Sequence, residues 1–246
     1  RCDGALILSD EDDAGLGAVK VPHEGPEEDN NIWQKTRANW RYLYEYYREE
    51  FDYFHICGDD CFVIPSNMKS FLARPEFAAA TARGEPLYLG RRMKEGGRET
   101  HLFNTGGAGY VMNRAGLELF YDSLDEPFCR PHLKGFFEDV MVADCFAKGP
   151  RRLMPQDTRD ATGAERFHCL NPGQHYSYRR DPKDWYTKYS FDLIEGPKCC
   201  APELAAAPLV RRRFLDAPRG RSLLAPRRAS WPFGASTSVG RAAAQR

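Results

Sequence analysis

The chain has 246 residues, 42% hydrophobic and 28% charged, enough apolar material for one sizeable core and an ordinary length for a single α/β domain. Its 35 basic and 35 acidic side chains cancel, but from Ala207 to the end nine arginines face one aspartate. The body is therefore mildly acidic and the tail basic, which argues against a nucleic-acid-binding role; no run of about eighteen apolar residues occurs, which excludes a membrane-spanning helix from this stretch.

Residues 5–8 and 19–21 are short apolar runs bounded by Asp and Gly, the pattern of buried strands. Between them Asp10-Glu11-Asp12-Asp13 reads as a solvated acidic turn. Asn30 or Asn31 caps a helix running to about residue 50, on which Trp33, Trp40, Leu43, Tyr44 and Tyr47 recur at helical spacing and make a core-facing stripe. Residues 52–56 and 61–63 are strands separated by an acidic interruption, Ser66 starts a helix through 72, and 87–89 is a strand ending in Gly90-Arg91-Arg92. Gly106-Gly107-Ala108-Gly109 leads into a strand over 110–112. A helix follows from Arg114, with Leu117, Phe120, Tyr121 and Leu124 on one face. Another helix over 139–146 opens on an acidic pair, which suits its positive N-terminal end. Strands alternating with helices argue for an α/β layered sheet. From about 203 onward Ala, Pro, Arg and Ser dominate without periodicity, and such a segment cannot bury enough apolar surface to offset its ordering entropy, so disorder is expected there.

Eight cysteines fall at 2, 57, 61, 129, 145, 169, 199 and 200, with no CxxC among them, so zinc-knuckle chemistry has no support. An even count over a mid-sized domain fits disulfides in an oxidising compartment, and buried thiols fit as well.

Four places carry chemistry. The strand over 52–56 runs into Gly58-Asp59-Asp60 before an apolar strand resumes. Carboxylates at the carboxyl end of a sheet strand stand where α/β proteins place ligands. They are hard oxygen donors, suited to Mg²⁺ or Mn²⁺ bridged to phosphate oxygens; an Asp-Asp turn between hairpin strands would have the same sequence. Glu138-Asp139 offers a general base for a hydroxyl acceptor, or only helix-capping acids. Gly106-Gly107-Ala108-Gly109-Tyr110 removes side chains where a backbone must approach something closely, without the GxGxxG order of a dinucleotide site or the lysine of a P-loop. His168, after Glu165-Arg166-Phe167, is either the completing ligand of a metal site or a structural hydrogen-bonding residue.

The order of the motifs adds to this. Trp33-Gln34-Lys35-Thr36-Arg37-Ala38, Gly58-Asp59-Asp60, Leu89-Gly90-Arg91-Arg92, Gly106-Gly107-Ala108-Gly109-Tyr110-Val111, Glu138-Asp139-Val140, Asp157-Thr158-Arg159-Asp160, Glu165-Arg166-Phe167-His168 and Glu195-Gly196-Pro197-Lys198-Cys199-Cys200 follow one another along the chain. In this order the sequence resembles the core 1 β1,3-galactosyltransferases, relatives of the Fringe enzymes, over residues 1–202. The resemblance implies a GT-A-like nucleotide-sugar transferase fold: α/β, with a mixed, mostly parallel central sheet flanked by helices. Residues 203–246 then form a basic tail outside it. It further implies a type II membrane enzyme of the Golgi lumen whose anchor is not in this chain. UDP-galactose would be the donor, Mn²⁺ or Mg²⁺ the cofactor, and a glycoprotein bearing GalNAc on Ser or Thr the acceptor. An oligomer is compatible with it.

Carried over residue by residue, Asp60 matches the last acid of the family's triple-Asp motif and is the expected metal ligand, with Asp59 matching the middle acid. His168 matches the metal-binding histidine, and Asp139 the proposed base, with Glu138 beside it. Trp33, Lys35, Arg37, Arg91, Arg92, Gly106 and Gly107 stand in matching motifs and are expected at the donor, some of the cationic ones on its phosphates. Gly58 departs from the pattern by replacing the first acid. The chain also begins near the family's second strand, so the first strand and its uridine-binding turn are expected to be missing, an N-terminally truncated domain. Cys129 and Cys145 bracket Glu138-Asp139 and either clamp that loop or are separate buried thiols. Alternative readings are transfer of another hexose such as GlcNAc, and a non-catalytic, lectin- or chaperone-like relative.

Overall fold

The computed structural model describes residues 2–209. At its start β1 (Ile7–Ser9) and β2 (Ala18–Lys20) pair in parallel, Ile7 opposite Ala18. The acidic loop between them closes on its own backbone: Asp13 accepts from the amides of Gly15 and Leu16, and Asp12 from that of Lys20. Short carboxylate side chains favour turns for this reason. Helix α1 (Ile32–Tyr47) follows, ending a little before the expected residue 50.

Strand β3 (Tyr53–Ile56) leads through the acidic turn to β4 (Cys61–Val63). Helices α2 (Pro65–Leu72) and α3 (Pro75–Ala82) each carry proline in the first turn, where its missing N–H costs no helical hydrogen bond. Then come β5 (Tyr88–Gly90), the hairpin of β6 (Arg92–Lys94) and β7 (Leu102–Asn104), and β8 (Tyr110–Asn113). Helix α4 (Arg114–Ser123) is capped by Asn113, whose side chain accepts from Gly116 N–H at 2.9 Å. The remaining elements are α5 (Glu138–Lys148), α6 (Pro172–Ser177), α7 (Trp185–Tyr189) and β9 (Ala206–Pro208).

The central sheet corrects one expectation. It has three strands in the order β3-β8-β5, and both pairings are antiparallel, with Phe54 opposite Met112 and Leu89 opposite Val111. β3 and β5 do run in the same direction, as their helical connection allows. They are not neighbours, however, because the β6–β7 hairpin sends the chain back and β8 inserts between them, running against both. The architecture is mixed α/β with small, mostly antiparallel sheets rather than a mostly parallel central one.

Strand alternation sends successive residues of β5 and β8 to opposite faces, and both faces are covered. Tyr88, Tyr110 and Met112 join Trp33 and Trp40 of α1, Phe120 of α4 and Phe146 of α5 in one core. Leu89 and Val111 join Met68 and Phe71 of α2, Phe77 of α3 and Phe167 in the other. Trp40 is fully buried, stacked on Tyr110 at 5.9 Å and edge-on to Phe120 at 6.3 Å, so the aromatic stripe is core, as its periodicity indicates.

A boundary at 203 does not coincide with the end of the packed structure. Ala205 and Ala206 have no exposed surface, and β9 pairs antiparallel with β4. Alanines register weakly on any hydrophobic scale, yet here their small size is what lets this strand lie against the 165–168 segment, where Ala205 N–H donates to Arg166 O and His168 N–H to Ala206 O. The expectation of disorder over the later tail falls on residues 210–246, outside the described ones. Disulfides join Cys129 to Cys145 and Cys199 to Cys200, leaving Cys2, Cys57, Cys61 and Cys169 as thiols. No helix among the described residues is long and apolar enough to cross a membrane.

Candidate functional site

The glycine turn at 106–109 is the hub of the site. A side chain at Gly106 would strike the Glu138 carboxyl, and one at Gly107 would come within 2.9 Å of Cys169 O. Gly109 has φ +69°, and a Cβ there would meet Ile56 O and come within 2.6 Å of Cys57 Cβ. The missing side chains thus admit three separate segments to one turn: the N-terminus of α5, the carboxyl end of β3, and the stretch following His168.

At α5 the acid pair faces this turn. Asp139 Oδ2 accepts from Gly106 N–H at 2.9 Å and Oδ1 from Val140 N–H at 2.8 Å. Glu138 Oε2 accepts from the Tyr110 hydroxyl at 2.8 Å. Burial, and then the neighbouring Asp139 charge, push the Glu138 pKa up to about 8. Burial also raises that of Asp139, opposed by the backbone amides on its oxygens. Glu138 is thereby the proton holder of the pair at neutral pH. Asp139, bonded by amides at a helix N-terminus, has the better-supported anion.

At β3 the acidic turn is closed by a bond from Cys61 N–H to Gly58 O at 3.2 Å, leaving Asp59 exposed and Asp60 half-buried. Ala108 O ties this turn to the glycine turn by accepting from Cys61 Sγ at 3.5 Å, while His55 Nε2 lies 2.9 Å from the same oxygen. Asp60 O also receives the amide of Leu209, just beyond β9.

His168 is 1% exposed, and neither of its ring nitrogens has a hydrogen-bond partner among the described residues. Burial, reinforced by the Arg91 charge, lowers its pKa to about 4, so the ring is neutral with a lone pair to offer. A neutral imidazole is a donor suited to a borderline divalent ion, and the carboxylates of Asp59 and Asp60 to a hard one. Asp60 and His168 hold backbone bonds to Leu209 and Ala206, on either flank of β9. No three His, Cys, Asp or Glu side chains among the described residues converge on one point.

The other expected donor residues are committed to protein partners. Trp33 is fully buried, and its Nε1 donates to Arg130 O at 3.2 Å. Arg37 bonds Pro131 O, Leu124 O and Asp125, and Lys35 pairs with Glu27. Together with Gln34, which donates to Pro131 O and Leu133 O, the first two anchor the loop that leads to Glu138. Arg91 is buried, with Nη1 2.8 Å from Glu165 Oε1, and Arg92 pairs with Asp157 at 2.7 Å. The structure brings Gly106, Gly107, Glu138 and Asp139 together and links the Asp59-Asp60 turn to them. It ties Trp33 and Arg37 to the loop at Arg130 and Pro131, and Lys35 to Glu27.

The sequence reading did not single out Tyr110 as the partner of Glu138, nor His175 and Tyr186 beside His168. Tyr110 and Glu138 stand 28 residues apart, and His175 and Tyr186 on separate short helices, so no regular spacing announces either pair.

No family model matches the sequence. The chain is similar to glycoprotein-N-acetylgalactosamine 3-beta-galactosyltransferase 1 of Xenopus laevis, 29% identical over 204 residues that make up 82% of this chain and 53% of that protein. It thus spans about half the length of the curated relative it matches. The similarity covers most of the chain, and the Gly58-Asp59-Asp60, Gly106-Gly107-Ala108-Gly109 and Glu138-Asp139 motifs that meet at the glycine turn belong to the ordered set in which the sequence resembles the core 1 β1,3-galactosyltransferases.

Proposed function

We propose that this chain carries the catalytic centre of an inverting, metal-dependent β1,3-glycosyltransferase that moves galactose from UDP-galactose to O-linked GalNAc of glycoproteins in the Golgi lumen. The observation that carries the reading is the convergence on the glycine turn of the Glu138-Asp139 pair, the Asp59-Asp60 turn and the segment after His168. The name of the Xenopus relative suggests the sugar and the acceptor.

In this reading Asp139 takes the proton of the attacking acceptor hydroxyl as that oxygen bonds to the anomeric carbon and the bond to the diphosphate breaks. Gly106 N–H and Val140 N–H hold the carboxylate in place, each oxygen keeping lone-pair capacity for the incoming proton. Glu138, protonated and bonded by Tyr110, keeps a second negative charge away from the base. Asp60 and His168 would hold a divalent ion whose chemistry is Lewis-acid stabilisation of the departing diphosphate.

Calorimetric titration of UDP into the full chain, with Mn²⁺ and then with EDTA, tests the donor site; the expected result is metal-dependent binding that Asp60→Ala abolishes. Asp139→Asn should lower transfer to a GalNAc acceptor by about 10²- to 10⁴-fold while UDP binding is kept. Normal turnover in that variant would remove Asp139 as the base. Parallel assays with UDP-GlcNAc decide between galactose and another hexose.

A further inference from the structure

Cys2, Cys57, Cys61 and Cys169 stand outside the disulfides as thiols, and two of them lie together. Cys57 follows β3 and Cys61 opens β4, so the pair brackets Gly58-Asp59-Asp60. β3 pairs with β8 and β4 with β9. What brings the two cysteines together is therefore the turn between them, closed by the bond from Cys61 N–H to Gly58 O, and the glycine turn that both touch. A Cβ at Gly109 would come within 2.6 Å of Cys57 Cβ, and Cys61 Sγ lies 3.5 Å from Ala108 O. The two side chains rest on consecutive residues of one turn, and their thiol groups hydrogen-bond to each other.

Side chains whose thiols already touch meet the proximity that a disulfide requires. Cys57 is exposed and Cys61 half-buried, so one sulfur is open to a reagent in solution while the other is held beside it. That is the arrangement of an attacking and a resolving cysteine. We propose that Cys57 and Cys61 form a reversible disulfide across the acidic turn, made by exchange with a small disulfide such as glutathione disulfide. The Cys57 thiolate attacks one sulfur of that disulfide, giving a mixed disulfide and releasing one glutathione thiolate. Cys61 gives up its proton to solvent and attacks the Cys57 sulfur, and the second glutathione leaves as its thiolate. Two protein thiols are oxidised, one glutathione disulfide is reduced, and the two departing thiolates take up the protons. Excess glutathione thiol runs the steps backward. A loop as short as 57–61 gains less from closure than a long one, so the bond acts locally, fixing the turn that carries Asp59 and Asp60. The exchange needs neither metal nor nucleotide sugar and is independent of the proposed transfer reaction.

The test equilibrates the full chain in glutathione buffers of defined disulfide-to-thiol ratio, traps remaining thiols with N-ethylmaleimide and maps the peptides by mass. At high thiol both cysteines are expected to be alkylated. At high disulfide both should lose alkylation, and the peptide that carries them should be lighter than its unalkylated reduced form by two hydrogens. Cys61→Ser should leave Cys57 as a lasting mixed disulfide with glutathione, because the resolving sulfur is gone. Thermal unfolding in reducing buffer reports whether that variant is folded, and if it is not, the wild-type map decides alone. Three results in wild type at high disulfide overturn the proposal: both cysteines alkylated, glutathione persisting on Cys57, or Cys57 bonded to Cys2 or Cys169. Each of them leaves the transfer reading standing, since the UDP titration tests that separately.

Discussion

Glu138 and Asp139 are adjacent in sequence but differently satisfied. Asp139 receives two backbone amides, whereas Glu138 receives only the Tyr110 hydroxyl and bears the charge of its neighbour. Two carboxylates pushed apart in this way can take different roles at one pH. The difference has a consequence for stability. In the unfolded chain Glu138 ionises near the ordinary 4.5, and in the fold near 8. The folded state therefore binds the proton more tightly. This contribution is fully present below the unfolded value and is lost as pH rises toward 8, by up to about 1.4 kcal/mol per pH unit. Asp139, also raised by burial, acts in the same direction. Glu138→Gln keeps an acceptor for Tyr110 and removes the ionisation. Urea unfolding in EDTA from pH 5 to pH 8 should show wild type losing stability more steeply than the variant. Parallel curves would mean that Glu138 is already ionised in the fold.

At the scale of elements, the glycine turn holds the site together, and its glycines are not equivalent. A methyl at Gly106 meets mainly the far end of the Glu138 side chain, which can swing away. Gly106→Ala should therefore fold with a modest loss of stability, about 1 kcal/mol for the displaced Tyr110–Glu138 bond, while disturbing the acid pair. At Gly109 the obstacle is the backbone of Ile56, and the backbone itself has φ +69°, so Gly109→Ala should cost about 3 kcal/mol or more. Thermal unfolding of the two variants side by side checks the contrast, and equal losses would refute it. The same turn shows what the sequence could convey. A run of glycines before an apolar strand signals close backbone approach, and an acidic pair before a helix signals its N-terminus; both are local facts. The identity of what approaches, Cys169 and Ile56 and Glu138, depends on segments far apart in the chain. Strand direction was illegible for a related reason: hydrophobic alternation records that β8 is buried, not which way its neighbours run. Helices α6 and α7 escaped notice because runs of six and five residues have too few turns to display a period, and α3 because its Ala-rich sequence has little polar–apolar contrast.

For the molecule as a whole, the core on the α2–α3 face and the candidate metal ligand depend on the last described strand. β9 covers β4, supplies Ala206 O to His168 N–H, and buries three alanines at 205–207. Composition argued for a tail from 203, since Ala-rich sequence carries little hydrophobic signal, but the packing places the functional end of the domain later. A chain ending at 209 and one ending at 202 separate the two boundaries. The shorter chain loses about 0.8 kcal/mol for each buried methyl. It also strands Ile64 N–H, His168 N–H and Asn67 Nδ2, whose acceptors are Ala205 O, Ala206 O and Leu204 O, at about 1 kcal/mol each. The total, on the order of 5 kcal/mol, is comparable to the whole net stability of many domains. The chain ending at 202 should therefore unfold about 10 °C or more below the chain ending at 209, or fail to fold. It should also bind Mn²⁺ with UDP more weakly at temperatures where it is folded, because His168 has lost its backbone anchor. Equal melting temperatures would return the boundary to 203 and make β9 dispensable; equal melting with weakened Mn²⁺ binding would assign the strand to the site alone.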